Sequence, residues 1–305
     1  MTGDGSDIER MSKNQRREMA RNKARALREQ QRKKERRGKF LLQGGIIVGL
    51  LAVVAIVTIV VVGSIRPPGP GPANMASDGI VIGEGFTAVT TPALAADEEP
   101  VTTAVDPESD VIPIEVWVDY QCPFCADFDS ANKELLETLL QEGAATIEIH
   151  PVAILDRASA GSRYSTRAAN AAACVASYSP DRFWAFDGLM FENQPAEGET
   201  GLTDEQLIEI TRDAEVDAPT VISECIDDLE FENWVDASTE RATADESLFN
   251  EDGNFVTPTI FVAGERYPGP ADDPTVFAQF VAAADGEAFT EETSPSASPS
   301  PSPSP

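Results

Sequence analysis

Cys122-Pro123-Phe124-Cys125 is the segment of this sequence best equipped for chemistry. Two thiols separated by two residues reach each other across one turn of helix. They can exchange a disulfide through a mixed-disulfide intermediate. The residues before the pair, Ile112–Tyr120, are rich in β-formers and alternate in places, which predicts a strand. The residues after it, Pro123 to Gln141, predict a helix with Leu135, Leu136, Leu139 and Leu140 on one face. A thiol at that junction meets unpaired N–H groups and the positive end of the helix dipole, and both favour thiolate. Pro123 suits the first helical turn, where its missing N–H costs little. Cys122 is then expected to be the exposed, attacking sulfur and Cys125 the buried, resolving one.

Other uses of these residues compete with that one. A Cys-x-x-Cys pair is half of many zinc sites, but the remaining candidates, Cys174, Cys225 and His150, form no second pair with ligand spacing. No metal and no cofactor are therefore expected. A purely structural bridge between Cys122 and Cys125 would be unusual at this spacing. Cys174 and Cys225 lie 51 residues apart on two predicted helices, and are either bridged or both free. A structural disulfide is the reading adopted, with a shuttle thiol pair as the alternative. Asp119, three residues before Cys122, either relays a proton to the resolving thiol or is a strand-end carboxylate in water. His150 reads as structural and Trp117, Trp184 and Trp234 as core. Trp117 is near enough in sequence to the thiols to report their redox state.

The elements that must position the pair lie in an unevenly charged chain of 305 residues. Residues 1–39 carry 14 Lys+Arg and 6 Asp+Glu, a net of +8; residues 40–65 carry no charge; residues 66–305 carry 9 Lys+Arg and 46 Asp+Glu, a net of -37. The overall net charge of -29 argues against a duplex nucleic-acid binder. One histidine excludes sites that need two. Gly44 to Gly63 is apolar apart from Thr58 and, at about 1.5 Å per residue, long enough to cross a bilayer. The run is longer than a signal-peptide core, so residues 40–65 are read as an uncleaved transmembrane helix in the lipid bilayer. The positive-inside rule then puts residues 1–39 in the cytoplasm as a basic, charged-helical tail, and everything past Arg66 outside. All four cysteines fall in that outer part, where disulfides persist.

Residues 66–77 are expected to be a stiff Pro/Gly linker that lifts the next domain off the membrane. Residues 87–110 read as a long loop, and 289–305 as a disordered Ser/Pro-rich tail. Between them the predicted order is strand 79–83, strand 112–120, helix 123–141 and strand 146–154. Five helices follow between about 160 and 247, at 165–178, 181–193, 203–215, 218–228 and 229–247. A strand at 259–263, a further edge near 265–269 and a closing helix at 273–284 complete it. Thr203 and Gln206 give the third helix of the block a capping-box start.

Asp119-Tyr120-Gln121-Cys122-Pro123-Phe124-Cys125 after a strand, with Thr257-Pro258-Thr259 opening another strand, resembles the DsbA-type thioredoxin fold. Gly79-Ile80-Val81-Ile82-Gly83, Arg167-Ala168-Ala169-Asn170-Ala171 and Gly201-Leu202-Thr203 extend the resemblance over roughly residues 78–288. It implies an α/β thioredoxin fold, a central mixed sheet with an inserted helical block. It implies a cis peptide at Thr257–Pro258 facing the thiols, with the backbone of Thr257 open to an extended substrate strand. It implies a thiol:disulfide oxidoreductase, in its membrane-anchored bacterial form, that oxidises exported protein thiols and is reoxidised by a quinone-linked membrane partner. The strong oxidases of the family carry His where this chain has Phe124, so its disulfide is expected to be less oxidising. The 87–110 loop departs from the usual tight opening hairpin, so substrate access is expected to differ. A reductase or isomerase is the nearest rival, and a non-catalytic surface protein that binds exported clients is the rival from another class.

Overall fold

The computed structural model describes residues 17–19, 21–34, 69–96, 98–103 and 109–293. The chain divides into two units, 1–67 and 68–305. In the first, the described residues 17–19 and 21–34 are helical and exposed along their length. Their Arg, Lys, Glu, Gln and Ala residues are strong helix formers with no apolar stripe to bury. The expected membrane helix over 40–65 lies outside the described residues, and among those described no helix is long and apolar enough to cross a membrane.

The second unit is organised by strand β2, Ile112–Val118. It is central, parallel to β3 (Ala145–Pro151) on one side and antiparallel to β4 (Thr259–Val262) on the other. Strand β1 (Ile80–Ile82) closes one edge against β3, and the short β5 (Glu265–Arg266) the other against β4, giving the order β1-β3-β2-β4-β5. Ile114, Val116 and Val118 of β2 pack into the main core, whereas Trp117 turns to a second cluster with Val152, Ala242 and Leu248. This period-2 division is what a central strand with both faces covered requires.

Helix α1, Pro123–Glu142, buries Cys125, Phe128, Asn132, Leu136 and Leu140 at three- and four-residue spacing. It stops at Gly143, whose φ of 67° is left-handed and whose N–H bonds back to the last turn. The parallel β2–α1–β3 crossover therefore places Cys122 where strand becomes helix.

Between β3 and β4 lie five helices: α2 (Tyr164–Tyr178), α3 (Phe183–Glu192), α4 (Asp204–Asp213), α5 (Pro219–Asp227) and α6 (Glu232–Ala244). The alanine-rich α2 is buried along almost its whole length. Its small side chains let α3, α5 and α6 pack closely around it. A disulfide joins Cys174 of α2 to Cys225 of α5. Helix α4 starts with the full capping box between Thr203 and Gln206. Gly201 just before it has φ 73°, and a Cβ there would lie 2.2 Å from the Tyr164 ring, so only glycine fits that approach. The last helix is α7, Pro274–Thr293.

Several expectations are corrected here. Residues 71–77 are not a spacer. Gly71 N–H bonds to Leu94 O, Ala73 N–H to Ser177 Oγ and the Asn74 amide to Ala176 O, while Met75 is only 2% exposed in the core. Buried apolar area and paired backbone hold the segment down. The loop from 87 is likewise anchored: Ala88 bridges Ile82, Thr91 N–H bonds to Asn74 Oδ1, and Val101 N–H bonds to Ala76 O. Residues 104–108 of it lie outside the described residues. The folded body does not end at 288, because α7 carries on through residues 289–293, and only 294–305 of the expected tail remain outside the description. Strands β2 and β3 end at Val118 and Pro151 rather than at Tyr120 and Ile154. Beyond those points the Asp119 carboxylate takes the N–H groups of Gln121 and Leu155 out of the ladder.

Candidate active site

Both thiols of the Cys-x-x-Cys segment are free. Cys122 is the N-cap residue of α1 and Pro123 its first helical residue. Cys125 N–H bonds to Cys122 O at 3.0 Å, which wraps the first turn around the leading sulfur. Cys125 is 1% exposed, as a resolving thiol one turn inward should be. Cys122 is not the exposed sulfur expected from the sequence, being only 4% exposed. The physical reason is the 257–258 loop: Cys122 Sγ lies 3.1 Å from Thr257 O and donates to it as a thiol. Gln194, at the end of the α3 segment, donates to Cys122 O at 2.9 Å from the other side. Pro123 and Phe124 are exposed between the two buried cysteines, Phe124 at 63%.

The two thiols differ in acidity. Cys122 is lowered to about 7, chiefly because the Cys125 thiol donates to its sulfur. Burial opposes this, and the N–H groups of Cys125 and Phe124 add to it. Cys125 is pushed well above its ordinary value by burial, by the hydrogen bond it gives to Cys122 and by the Cys122 charge. The site therefore holds one nucleophile active near neutral pH and one thiol that must be relieved of a proton before it can attack.

Asp119 lies beneath this pair and is 0% exposed, which removes the alternative of a carboxylate in water. It accepts from Gln121 N–H at 2.9 Å, Leu155 N–H at 2.9 Å and Ser165 Oγ at 2.8 Å. Burial nevertheless raises it to about 6, with a small push from the Asp156 charge. Its charge in turn contributes to raising Cys125. Next along the chain, buried Tyr120 donates to Asp187 of α3 at 2.7 Å.

The Thr257–Pro258 peptide is cis and sits against Cys122, so the fold brings together residues 135 apart. Cys174 and Cys225 are bonded to each other within the helical block. His150 is buried on the other face of the sheet, stacked on Trp117 at 4.2 Å and against Gly79, away from the thiols. Trp117 accordingly faces the second cluster and not the Cys122 core. Trp184 and Trp234 are partly buried at the margin of the main core. Among the described residues no group of His, Cys, Asp and Glu has a metal-binding arrangement. Sequence reading missed Gln194, Leu155 and Ser165, which touch the site from loops and a helix far along the chain. The only local signal was Ser165 at the start of a predicted helix.

A family model described as thioredoxin matches residues 106–283. No curated protein matches the chain. Among solved structures, reduced DsbA from Mycobacterium tuberculosis is 26% identical with TM-score 0.51, over 71% of this chain and 100% of that one. The reduced disulfide bond oxidoreductase DsbG from Mycobacterium tuberculosis is also 26% identical with TM-score 0.51, over 71% of this chain and 95% of that one. BdbD from Bacillus subtilis, 18% identical with TM-score 0.50 over 72% of this chain and all of that one, shares the fold. With its mixed sheet, its Cys-x-x-Cys pair at the head of α1 and this match, the chain belongs to the thioredoxin family and is similar within it to DsbA-type thiol:disulfide oxidoreductases.

Proposed function

We propose that this protein is a membrane-anchored disulfide oxidase that acts outside the cytoplasm on the thiols of exported proteins. The observation that carries the reading is the Cys122–Cys125 dithiol itself: a lowered leading thiol against Thr257 O and a buried partner. Holding Cys122 as thiolate equips the pair for exchange near neutral pH, and the similarity to DsbA supports the oxidising direction.

In the oxidising cycle a substrate thiolate attacks Cys122 Sγ of the Cys122–Cys125 disulfide. The S–S bond breaks, and Cys125 leaves and is protonated. The buried Asp119 acts as the proton relay for that group. A second substrate thiolate then attacks the substrate sulfur of the mixed disulfide and Cys122 leaves as thiolate. The substrate has lost two electrons and the pair has gained them. A quinone-linked membrane partner reoxidises the pair. Thr257 and Pro258 present the loop along which an extended substrate segment lies, and Pro123 and Phe124 form the surface next to the sulfur. The extracytoplasmic placement rests on the apolar run Gly44–Gly63 and the basic head before it.

The test is the reduction potential of the Cys122–Cys125 pair in glutathione buffers, read by alkylation and mass spectrometry. About 30 mV is a tenfold change in this two-electron equilibrium. A pair that stays reduced until the buffer is strongly oxidising is the expected result. A pair that oxidises in mildly reducing buffer makes the protein a reductase or isomerase. Client binding and cellular function that survive Cys122→Ser would leave only a binding role. After surface disulfides of intact cells are reduced with a membrane-impermeant phosphine, an impermeant maleimide should label Cys122, and labelling only after lysis overturns the placement.

A further inference from the structure

We propose that Ser165 is a positioning residue for the Asp119 relay: its buried hydroxyl, carried by the helical insertion, fixes the carboxylate that serves the Cys125 thiol. The inference rests on the reading of Asp119 given above. Three donors hold the carboxylate, and two are backbone N–H groups, Gln121 and Leu155, that any side chain at those positions would supply. Ser165 Oγ, 2.8 Å from Asp119 Oδ1 and 0% exposed, is the donor the sequence chose.

The groups that face Asp119 are Cys125 from α1, Asp156 from the turn after β3 and Tyr164 from α2. All three are acids, and none supplies the positive charge that usually keeps a buried carboxylate ionised. A hydroxyl donor takes that part here. Helix α2 manages both nearby carboxylates from its first turn. Ser165 donates to Asp119, while Thr166 donates to Asp156 through its N–H at 2.9 Å and its hydroxyl at 2.6 Å. The positive end of the α2 dipole adds to this. The insertion thus reaches the active site at the carboxylate whose charge acts on Cys125. When Cys125 attacks the Cys122 sulfur of a mixed disulfide, its proton passes to the Asp119 carboxylate. When Cys125 leaves, the proton returns.

A hydrogen bond given to a carboxylate favours its charged form, so losing it raises the carboxyl pKa. Ser165→Ala is expected to move the Asp119 midpoint up by about one pH unit, a tenfold change in the protonation equilibrium. The measurement uses the reduced 305-residue protein and an aromatic disulfide reagent, dithiobis(nitrobenzoate). The reagent releases one thionitrobenzoate when Cys122 attacks it and a second when Cys125 resolves the adduct. The rate of the second release is followed against pH in wild type, Asp119→Asn, Ser165→Ala and Ser165→Thr.

The expected result has three parts. Asp119→Asn loses the limb that titrates with the relay, Ser165→Ala shifts it upward, and Ser165→Thr, which keeps a hydroxyl, restores it. An unshifted limb in Ser165→Ala beside a lost limb in Asp119→Asn overturns the role of Ser165 and leaves the relay standing. A limb that persists in Asp119→Asn overturns the relay itself. Ser165→Gly, which also removes the hydroxyl and adds no reactive group, should give the same upward shift if the alanine variant does not fold.

Discussion

Cys122 and Cys125 have the same side chain and lie one helical turn apart, yet the fold gives them opposite tasks. Cys122 receives hydrogen bonds from Cys125 and from the open N–H groups of α1, so its thiolate is favoured. Cys125 is enclosed, gives its own hydrogen bond away and keeps its proton. Alkylation of the reduced protein by iodoacetamide should therefore be half-maximal near pH 7 at Cys122, below the ordinary thiol value of 9.0, while Cys125 stays unmodified. The sign follows from linkage. A folded pKa below the unfolded one makes the reduced form gain stability as pH rises from about 7 to about 9. The side chain of the neighbouring Phe124 cannot donate to that thiolate. Phe124→His adds such a donor and should lower the Cys122 midpoint by about one pH unit and make the disulfide about 30 mV more oxidising. An unchanged midpoint in that variant would mean the side chain at 124 points away from the sulfur.

At the scale of elements, the helical block is held to itself by covalent as well as packing forces. The Cys174–Cys225 bond joins α2 to α5 across 51 residues of chain. Closing a loop of that length should stabilise the fold by ~3–4 kcal/mol through the unfolded state. The double variant Cys174→Ser/Cys225→Ser is expected to lose about that much in denaturant melts of the otherwise reduced protein. Loss of less than ~1 kcal/mol would show that the unfolded chain gains little freedom from opening the loop. The block matters to the chemistry because its members touch the site from several sides. Ser165 of α2 reaches Asp119, and Asp187 of α3 accepts from Tyr120, two residues before Cys122.

At the scale of the whole folded unit, the burial of Asp187, the acceptor of the Tyr120 hydroxyl, makes stability depend on pH. Burial, with the Asp129 charge added, raises Asp187 to about 8. The unfolded group titrates near 3.8. A folded pKa above the unfolded one means the native state binds more protons in between, so stability falls as pH rises from about 4 to about 8. Asp187→Asn keeps an acceptor for the Tyr120 hydroxyl and removes the titration. It should match wild type near pH 4 and exceed it at pH 8 by ~1–3 kcal/mol. Parallel stability curves for the two proteins would place the buried charge elsewhere.

The redox pair, its position between strand and helix, and the order of strands and helices were all legible in the sequence, because each depends on spacing and periodicity within short windows. The capping box at Thr203 was legible for the same reason. Which sulfur is covered was not: Cys122 is enclosed by Thr257 and Gln194, 135 and 72 residues away, and no local pattern reports such contacts. The spacer character of 71–77 failed similarly, since Pro and Gly describe a stiff segment but do not say that Met75 finds a place in the core. For Asp119 the sequence supplied a carboxylate beside the thiols. Only the folded chain decided that it is dry, held by Ser165 and Leu155, and raised in pKa. Residue identity and local pattern set what a side chain can do, while burial and distant partners set its protonation, because desolvation is a property of everything packed around the group.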